Sequence, residues 1–248
     1  KWAGTNSDLL FYAVDIDGDY VVVGAYADDD DGQQSGSAYV YKRSGTTWTF
    51  QQKLTASDGA ANALFGISVA ISGSTILIGS RSDSGQGSVY VFTRSGSTWT
   101  QQQKLTASDG DSGDNFGDTV AISGDTLIIG SPRYEDTSAV NRRNKGAVYV
   151  FTKSGNTWTE QTIIKPVSTG NEFIGQYGIA ISGNTIVIGH YTDDDNFNNA
   201  GSAYVYTGSG SSWTQQAKLT ASDAAADDNF GRDVDIDGDV IIIGAWLK

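Results

Sequence analysis

The stretch VAISGSTILIG (69–79) sets two short alternating apolar runs on either side of a Gly-Ser pair. Apolar residues at every second position, broken by glycine and one small polar residue, read as two strands joined by a two-residue type II′ hairpin. The same frame returns as VDIDGDYVVVG (14–24), VAISGDTLIIG (120–130), IAISGNTIVIG (179–189) and VDIDGDVIIIG (234–244). Its turn glycines are Gly18, Gly73, Gly124, Gly183 and Gly238, spaced 55, 51, 59 and 55 residues apart.

After each of the first four frames comes a tyrosine-rich run: SAYVY (37–41), SVYVF (88–92), AVYVF (147–151) and SAYVY (202–206). A Ser-Gly turn and a run carrying Trp48, Trp99, Trp158 or Trp213 follow, and three copies continue into KLTASD from Lys53, Lys104 and Lys218. No stretch keeps a 3.6-residue apolar period long enough for a helix. A four-stranded unit of about fifty residues cannot bury both faces alone, so copies must stack. The expected fold is therefore all-β, a β-propeller of four-stranded antiparallel blades in one domain. Four full repeats fall near 8–57, 62–108, 113–168 and 172–222, with a partial fifth at 227–248. A solenoid is the alternative, although solenoid repeats usually hold fewer strands.

NALFGISVAISG, DNFGDTVAISG and DNFGRDVDIDG resemble FG-GAP repeats, the units of the propeller in integrin α-subunit heads, some fungal lectins and many bacterial surface proteins. Phe65-Gly66, Phe116-Gly117 and Phe230-Gly231 match the first half of that motif. The second half is carried loosely by GAY (24–26), GSR (79–81), GSP (130–132), GHY (189–191) and GAW (244–246). The fourth copy reads Gly175-Gln176 where Phe-Gly is expected. The resemblance implies a non-catalytic, extracellular or cell-surface binding or adhesion module whose ligand is a protein or a glycan. A self-assembling subunit and, less favoured, a propeller glycoside hydrolase are the other readings.

Composition narrows the chemistry. The chain has no cysteine and one histidine, His190, which excludes thiol catalysis and Cys/His zinc sites. Net charge is −13, and 26 of the 29 acidic residues are Asp, a turn former where Glu would favour helices. Such a field repels nucleic acid and anionic membranes, so neither is an expected partner. No apolar run is long enough to insert into a membrane. The opening KWAGTN carries neither Met nor a signal segment and reads as the start of a processed or excised piece. The segment 1–8 aligns with the end of a fourth strand, so a five-blade ring would hold one incomplete blade.

Calcium is the one cofactor the acidic residues suggest. Candidate ligands are Asp28, Asp29, Asp30 and Asp31, Asp193, Asp194 and Asp195, and the turn residues Asp15, Asp17, Asp235 and Asp237. The bland reading is a solvated turn. The Gly-x hairpin leaves no wrapping loop, and it persists where Asp15 and Asp17 become Ala70 and Ser72. Asp15 and Asp235, which replace alanine only in the first and last copies, call for an ion, a cationic partner or looser cover. The acidic runs SDGDSGDN (108–115) and SDAAADDN (222–229) should join the loops after the second strands on one acidic rim.

Trp48, Trp99, Trp158 and Trp213 either line sugar pockets between blades or pack over their own blades. Arg133, Arg142, Arg143 and Lys145 form a basic loop able to meet a neighbour's acidic rim. Val240, Ile241, Ile242 and Ile243 form an apolar strand available to another chain. Asp118 and Asp233 lie on first strands, but at non-equivalent positions, and no Glu accompanies them, so no catalytic residue is assigned.

Overall fold

The computed structural model describes residues 12–135, 144–165 and 173–247. Two compact units divide the chain, Lys1–Val120 and Ala121–Lys248. Secondary structure is entirely β among the described residues. The first sheet is the meander β1 (Ala13–Asp17), β2 (Tyr20–Ala25), β3 (Ser37–Ser44) and β4 (Thr47–Leu54). The second is β5 (Phe65–Ser72), β6 (Thr75–Ser80), β7 (Ser88–Ser95) and β8 (Thr98–Leu105). β9 (Thr119–Ser123), β10 (Thr126–Ser131), β11 (Ala147–Ser154) and β12 (Thr157–Ile164) make the third. β13 (Ile179–Ser182), β14 (Thr185–His190), β15 (Ser202–Ser209) and β16 (Ser212–Leu219) make the fourth, and β17 (Phe230–Asp237) with β18 (Val240–Ala245) a two-stranded fifth.

The hairpin expected at each turn glycine is present. Asp17 pairs with Tyr20 and Ser72 with Thr75, leaving two residues in each turn. Gly18 and Gly73 have φ of 56° and 57°, whereas Asp19 and Ser74 stay at negative φ, which is the type II′ arrangement. A β-carbon on either glycine would meet nothing within 4 Å, so backbone conformation alone demands glycine there.

The motif glycines answer to a different constraint. A β-carbon on Gly24 of β2 would lie 2.0 Å from the carbonyl oxygen of Gly66, at the start of the next sheet. Gly79 stands likewise 2.1 Å from the Gly117 oxygen. The Phe-Gly half of one repeat thus seats its backbone on the glycine of the preceding repeat's second strand. In the fourth repeat this seat belongs to Ile174-Gly175 rather than Gly175-Gln176. Ile174 bridges Gly146 just as Phe65 bridges Gly36, and one extra residue before Gly178 restores the register.

Every four-stranded sheet carries one bulge between its third and fourth strands. Val40 pairs with Gln52 but Tyr41 with Phe50, leaving Gln51 unpaired, and Gln102, Gln161 and Gln216 hold the same place. Gln51 Nε2 donates to the Ser97 carbonyl, while Gln52 exchanges two bonds of 2.8 Å with the Trp99 backbone. Glutamines on the fourth strand therefore tie the first sheet to the second.

Consecutive sheets stack within each unit. In the first, Tyr20, Val22 and Val40 pack against Ile71, Ile76, Phe92 and Trp99. In the second, Ile128 and Val150 meet Ile179, Ile181 and Ile186, and Val187 with Ala180 meets Val234 and Ile236. The alignment of 1–8 with a fourth strand lies outside the described residues.

Candidate functional site

The loop after each second strand and the loop before the next first strand lie together. Asn62 and Leu64 donate backbone N–H groups to Gln33 and Gln34, and Asp227 and Asn229 donate to Asn198 and Asn199. These loop pairs hold most of the acidic residues singled out in the sequence.

Within them, one aspartate per loop is buried and its neighbours are exposed. Asp28 Oδ2 accepts from Ser37 Oγ at 2.7 Å and Tyr39 OH at 2.8 Å, and pairs with Lys53 Nζ at 2.7 Å. Lys53 also pairs with Asp30. Asp83, which sequence reasoning passed over, is held the same way by Ser88, Tyr90 and Lys104, and Asp58 completes the group. In the fourth repeat Asp193 is bound by Ser202, Tyr204 and Lys218, with His190 Nδ1 at 3.5 Å, while Asp195 pairs with Lys218.

Burial alone would raise the Asp28 and Asp193 carboxyls. Hydrogen bonds from Lys53, Ser37 and Tyr39 to the first, and the nearby His190 imidazole with hydrogen bonds from Lys218 and Ser202 to the second, outweigh burial and hold both below the usual range. The Lys104 ammonium chiefly lowers Asp58. Burial would lower Lys53, Lys104 and Lys218, yet their carboxylate partners raise all three.

The third repeat abandons the arrangement as a set. Tyr134 occupies the aspartate position, its N–H bonding to Ser131 as that of Asp28 bonds to Ala25. Ala147 stands for the serine, and Ile163, paired with Tyr149, for the lysine. Lys165 Nζ instead donates to Tyr134 OH at 2.6 Å. The buried carboxylate disappears together with its serine and lysine partners, as expected when an unpaired buried charge costs more than the whole group is worth.

Most of the remaining acidic candidates have local partners. Asp29 Oδ1 accepts from Gln34 N–H and Asp194 Oδ1 from Asn199 N–H, while Asp31 is exposed. Asp15 Oδ2 accepts from Ile71 N–H at 2.8 Å and Asp17 Oδ2 from Gly73 N–H at 2.5 Å. A backbone N–H of the next sheet is thus among the partners of Asp15, and the half-buried Asp15 and exposed Asp235 accord with looser cover of the first and last repeats. Asp235 accepts from the adjacent Ile236 N–H, and Asp237 is exposed. Among the described residues, no group of three or more acidic or histidine side chains is placed to hold a metal ion. Asp118 pairs with Arg81 at 2.8 Å.

The four tryptophans are not equivalent. Trp99 is 2% exposed, edge-on to Tyr20 at 5.9 Å, with Arg94 over both rings. Trp158 is also buried, Trp213 is half-buried, and Trp48 is 36% exposed. Neither Trp99 nor Trp158 offers a ring face to a sugar. Arg133 is exposed and Lys145 half-buried, while Arg142 and Arg143 lie outside the described residues. Along β18, Val240 and Ile242 are exposed and Ile241 and Ile243 half-buried.

No described helix is long and apolar enough to cross a membrane. No curated protein matches the chain. The family model of the FG-GAP repeat matches five stretches, 4–41, 48–92, 99–151, 158–206 and 213–248. The last four begin on Trp48, Trp99, Trp158 and Trp213, so each matched unit joins the fourth strand of one sheet to the first strands of the next. The five matches cover most of its length, and the chain belongs to the FG-GAP repeat family.

Proposed function

We propose that the chain is a non-catalytic β-propeller that works outside the cell as a binding or adhesion module for a protein or glycan. The observation that carries this reading is the FG-GAP repeat itself, matched five times over the chain. Sheets stacking face to face within each unit support a radial arrangement. Each unit offers a ligand surface at the loop end of its own sheets, where Asp29 and Asp31 in the first and Asp194 in the second are exposed beside buried, neutralised aspartates. A rigid base under exposed carboxylates suits a basic protein surface, or a glycan bridged by calcium.

Glycan-array and immobilised-protein binding, each with and without calcium, tests this reading. Charge reversal at Asp29, Asp31 and Asp194 should abolish the captured interaction while the circular dichroism spectrum stays unchanged. Binding that survives the reversal would place the ligand surface elsewhere.

A further inference from the structure

We propose that Arg232 and the aromatic rings around it bind an acidic sugar, a uronate whose carboxylate meets the guanidinium while its ring lies on tyrosine. This rests on the reading of the chain as a binding module, for which it names one ligand class. Arg232 follows the Phe-Gly pair at the start of β17, within the second unit. Its guanidinium carbon lies 3.7 Å from the ring centroid of Trp246, 4.3 Å from that of Tyr177 and 5.7 Å from that of Tyr191. Tyr177 and Tyr191 meet edge to face at 5.4 Å, and Tyr191 OH donates to Gln176 Oε1 at 2.6 Å.

The state of its charge sets this group apart. The residue after Phe-Gly is Asp118 in the third repeat, and Arg81, at the end of the second repeat's Gly-Ser-Arg, neutralises it at 2.8 Å. Between the fourth and fifth repeats the same two positions hold Tyr191 and Arg232. The sign is reversed there, and a ring stands where the countercharge would be. Among the described residues no acceptor reaches the half-buried Arg232 side chain. The side-chain N–H groups of Gln176 and the hydroxyl of Tyr177 also find no partner among them. The unused hydrogen-bonding capacity is mostly donor, so the cluster calls for a ligand rich in acceptors.

A guanidinium held among rings has already lost much of the freedom of a long side chain, and its N–H fork matches the two oxygens of a carboxylate. Tyr177 is 39% exposed, so its ring can carry the apolar C–H face of a pyranose. A uronate bears its carboxylate directly on the pyranose, and one sugar therefore engages ring and fork together. An aspartate side chain or a chain terminus brings the carboxylate without such a face. The net charge of −13 opposes anions at long range. At physiological salt that field decays over about 8 Å, and an ion pair at contact outweighs it. No calcium is needed at this site.

Isothermal titration with trigalacturonate in the presence of EDTA tests the proposal, since the chelator removes any calcium bridge at the exposed aspartates. Trigalacturonate should bind, and its methyl ester, which keeps the rings and loses the charge, should bind about tenfold more weakly or worse. Arg232→Gln should weaken binding of the acid by about the same factor and leave the ester unchanged. Arg232→Lys keeps a cation over the rings, and with it the fold, but lacks the fork and should lose most of the same affinity. Tyr177→Ala should weaken acid and ester alike. No binding of trigalacturonate, equal binding of acid and ester, undiminished binding by both Arg232 variants, or equal binding of a tetra-aspartate peptide would overturn it. If trigalacturonate fails while a protein or a neutral glycan is still captured, the acidic-sugar site falls and the binding module stands. If nothing is captured, both fall.

Discussion

Lys53 on β4 and Asp28 in the loop after β2 meet at 2.7 Å over a carboxylate that Ser37 and Tyr39 already occupy. The group joins three parts of one sheet, so Asp28→Ala should leave two hydroxyls without their acceptor and the Lys53 ammonium with Asp30 as its remaining carboxylate partner. The expected cost is about 2–4 kcal/mol, read from denaturant unfolding. Installing the third repeat's set in the first, as Asp28→Tyr with Ser37→Ala and Lys53→Ile, should cost less than Asp28→Ala alone. A triple variant less stable than the single one would show that the four residues do not act as a unit.

Stability should form a plateau with two edges. Asp28, Asp58 and Asp193 have folded-state values below the reference of 3.8, so the unfolded chain takes up protons first as the pH drops. Their contribution is present above that reference and is lost as pH falls below about 4. Lys53, Lys104 and Lys218 lie above the reference of 10.5, so their contribution is present below it and fades as pH rises past it. Thermal midpoints by circular dichroism between pH 2 and 12 should fall at both ends. A midpoint that keeps rising toward pH 3 would contradict the acid edge.

How much of this could be read in the sequence depends on the range of the cause. The turn glycines were legible, because a two-residue hairpin is set by its own φ angles and the Gly-x frame announces them. Asp28 could not be separated from Asp29, Asp30 and Asp31, because its burial is fixed by Ser37, Tyr39 and Lys53, which arrive from two other strands. A signal was nevertheless present: aspartate, serine and lysine occur together in three repeats and vanish together in the third. Counting back from Gly183 missed Ile174-Gly175 because a single inserted residue shifts the count.

Two kinds of glycine should respond differently to the same substitution. Gly73→Ala places a methyl in open space and costs only the positive φ, about 1 kcal/mol. Gly79→Ala drives a methyl to 2.1 Å from the Gly117 carbonyl, a backbone atom that cannot rotate away. A loss of about 3 kcal/mol or more is expected, or failure to fold. Equal losses by chemical denaturation would remove the distinction.

Leu64 offers a stabilising change. The residue before the Phe-Gly pair takes a left-handed conformation, with φ of 61° at Leu64, 62° at Asn115 and 54° at Asn229. Asparagine tolerates that region better than leucine. Leu64 is only half-buried, so Leu64→Asn loses little packing and should gain about 0.5–1 kcal/mol, raising the thermal midpoint by a few degrees.

The tryptophans separate packing from exposure by measurement. Trp99 fills the space between the first two sheets, between Tyr20 and Arg94, and its backbone is held by Gln52. Trp99→Ala should therefore open a cavity and cost about 3–5 kcal/mol. Trp48 holds the same strand position one sheet earlier, but it is partly open to solvent, with Arg43 over its ring at 5.5 Å. Trp48→Ala should cost about 1 kcal/mol or less at protein concentrations where the chain is monomeric. Acrylamide should quench Trp48 fluorescence in a variant lacking the other tryptophans and spare Trp99 in the matching variant. Equal quenching would mean that the second sheet does not cover Trp99 in solution, and the large cost expected for Trp99→Ala would lose its cause.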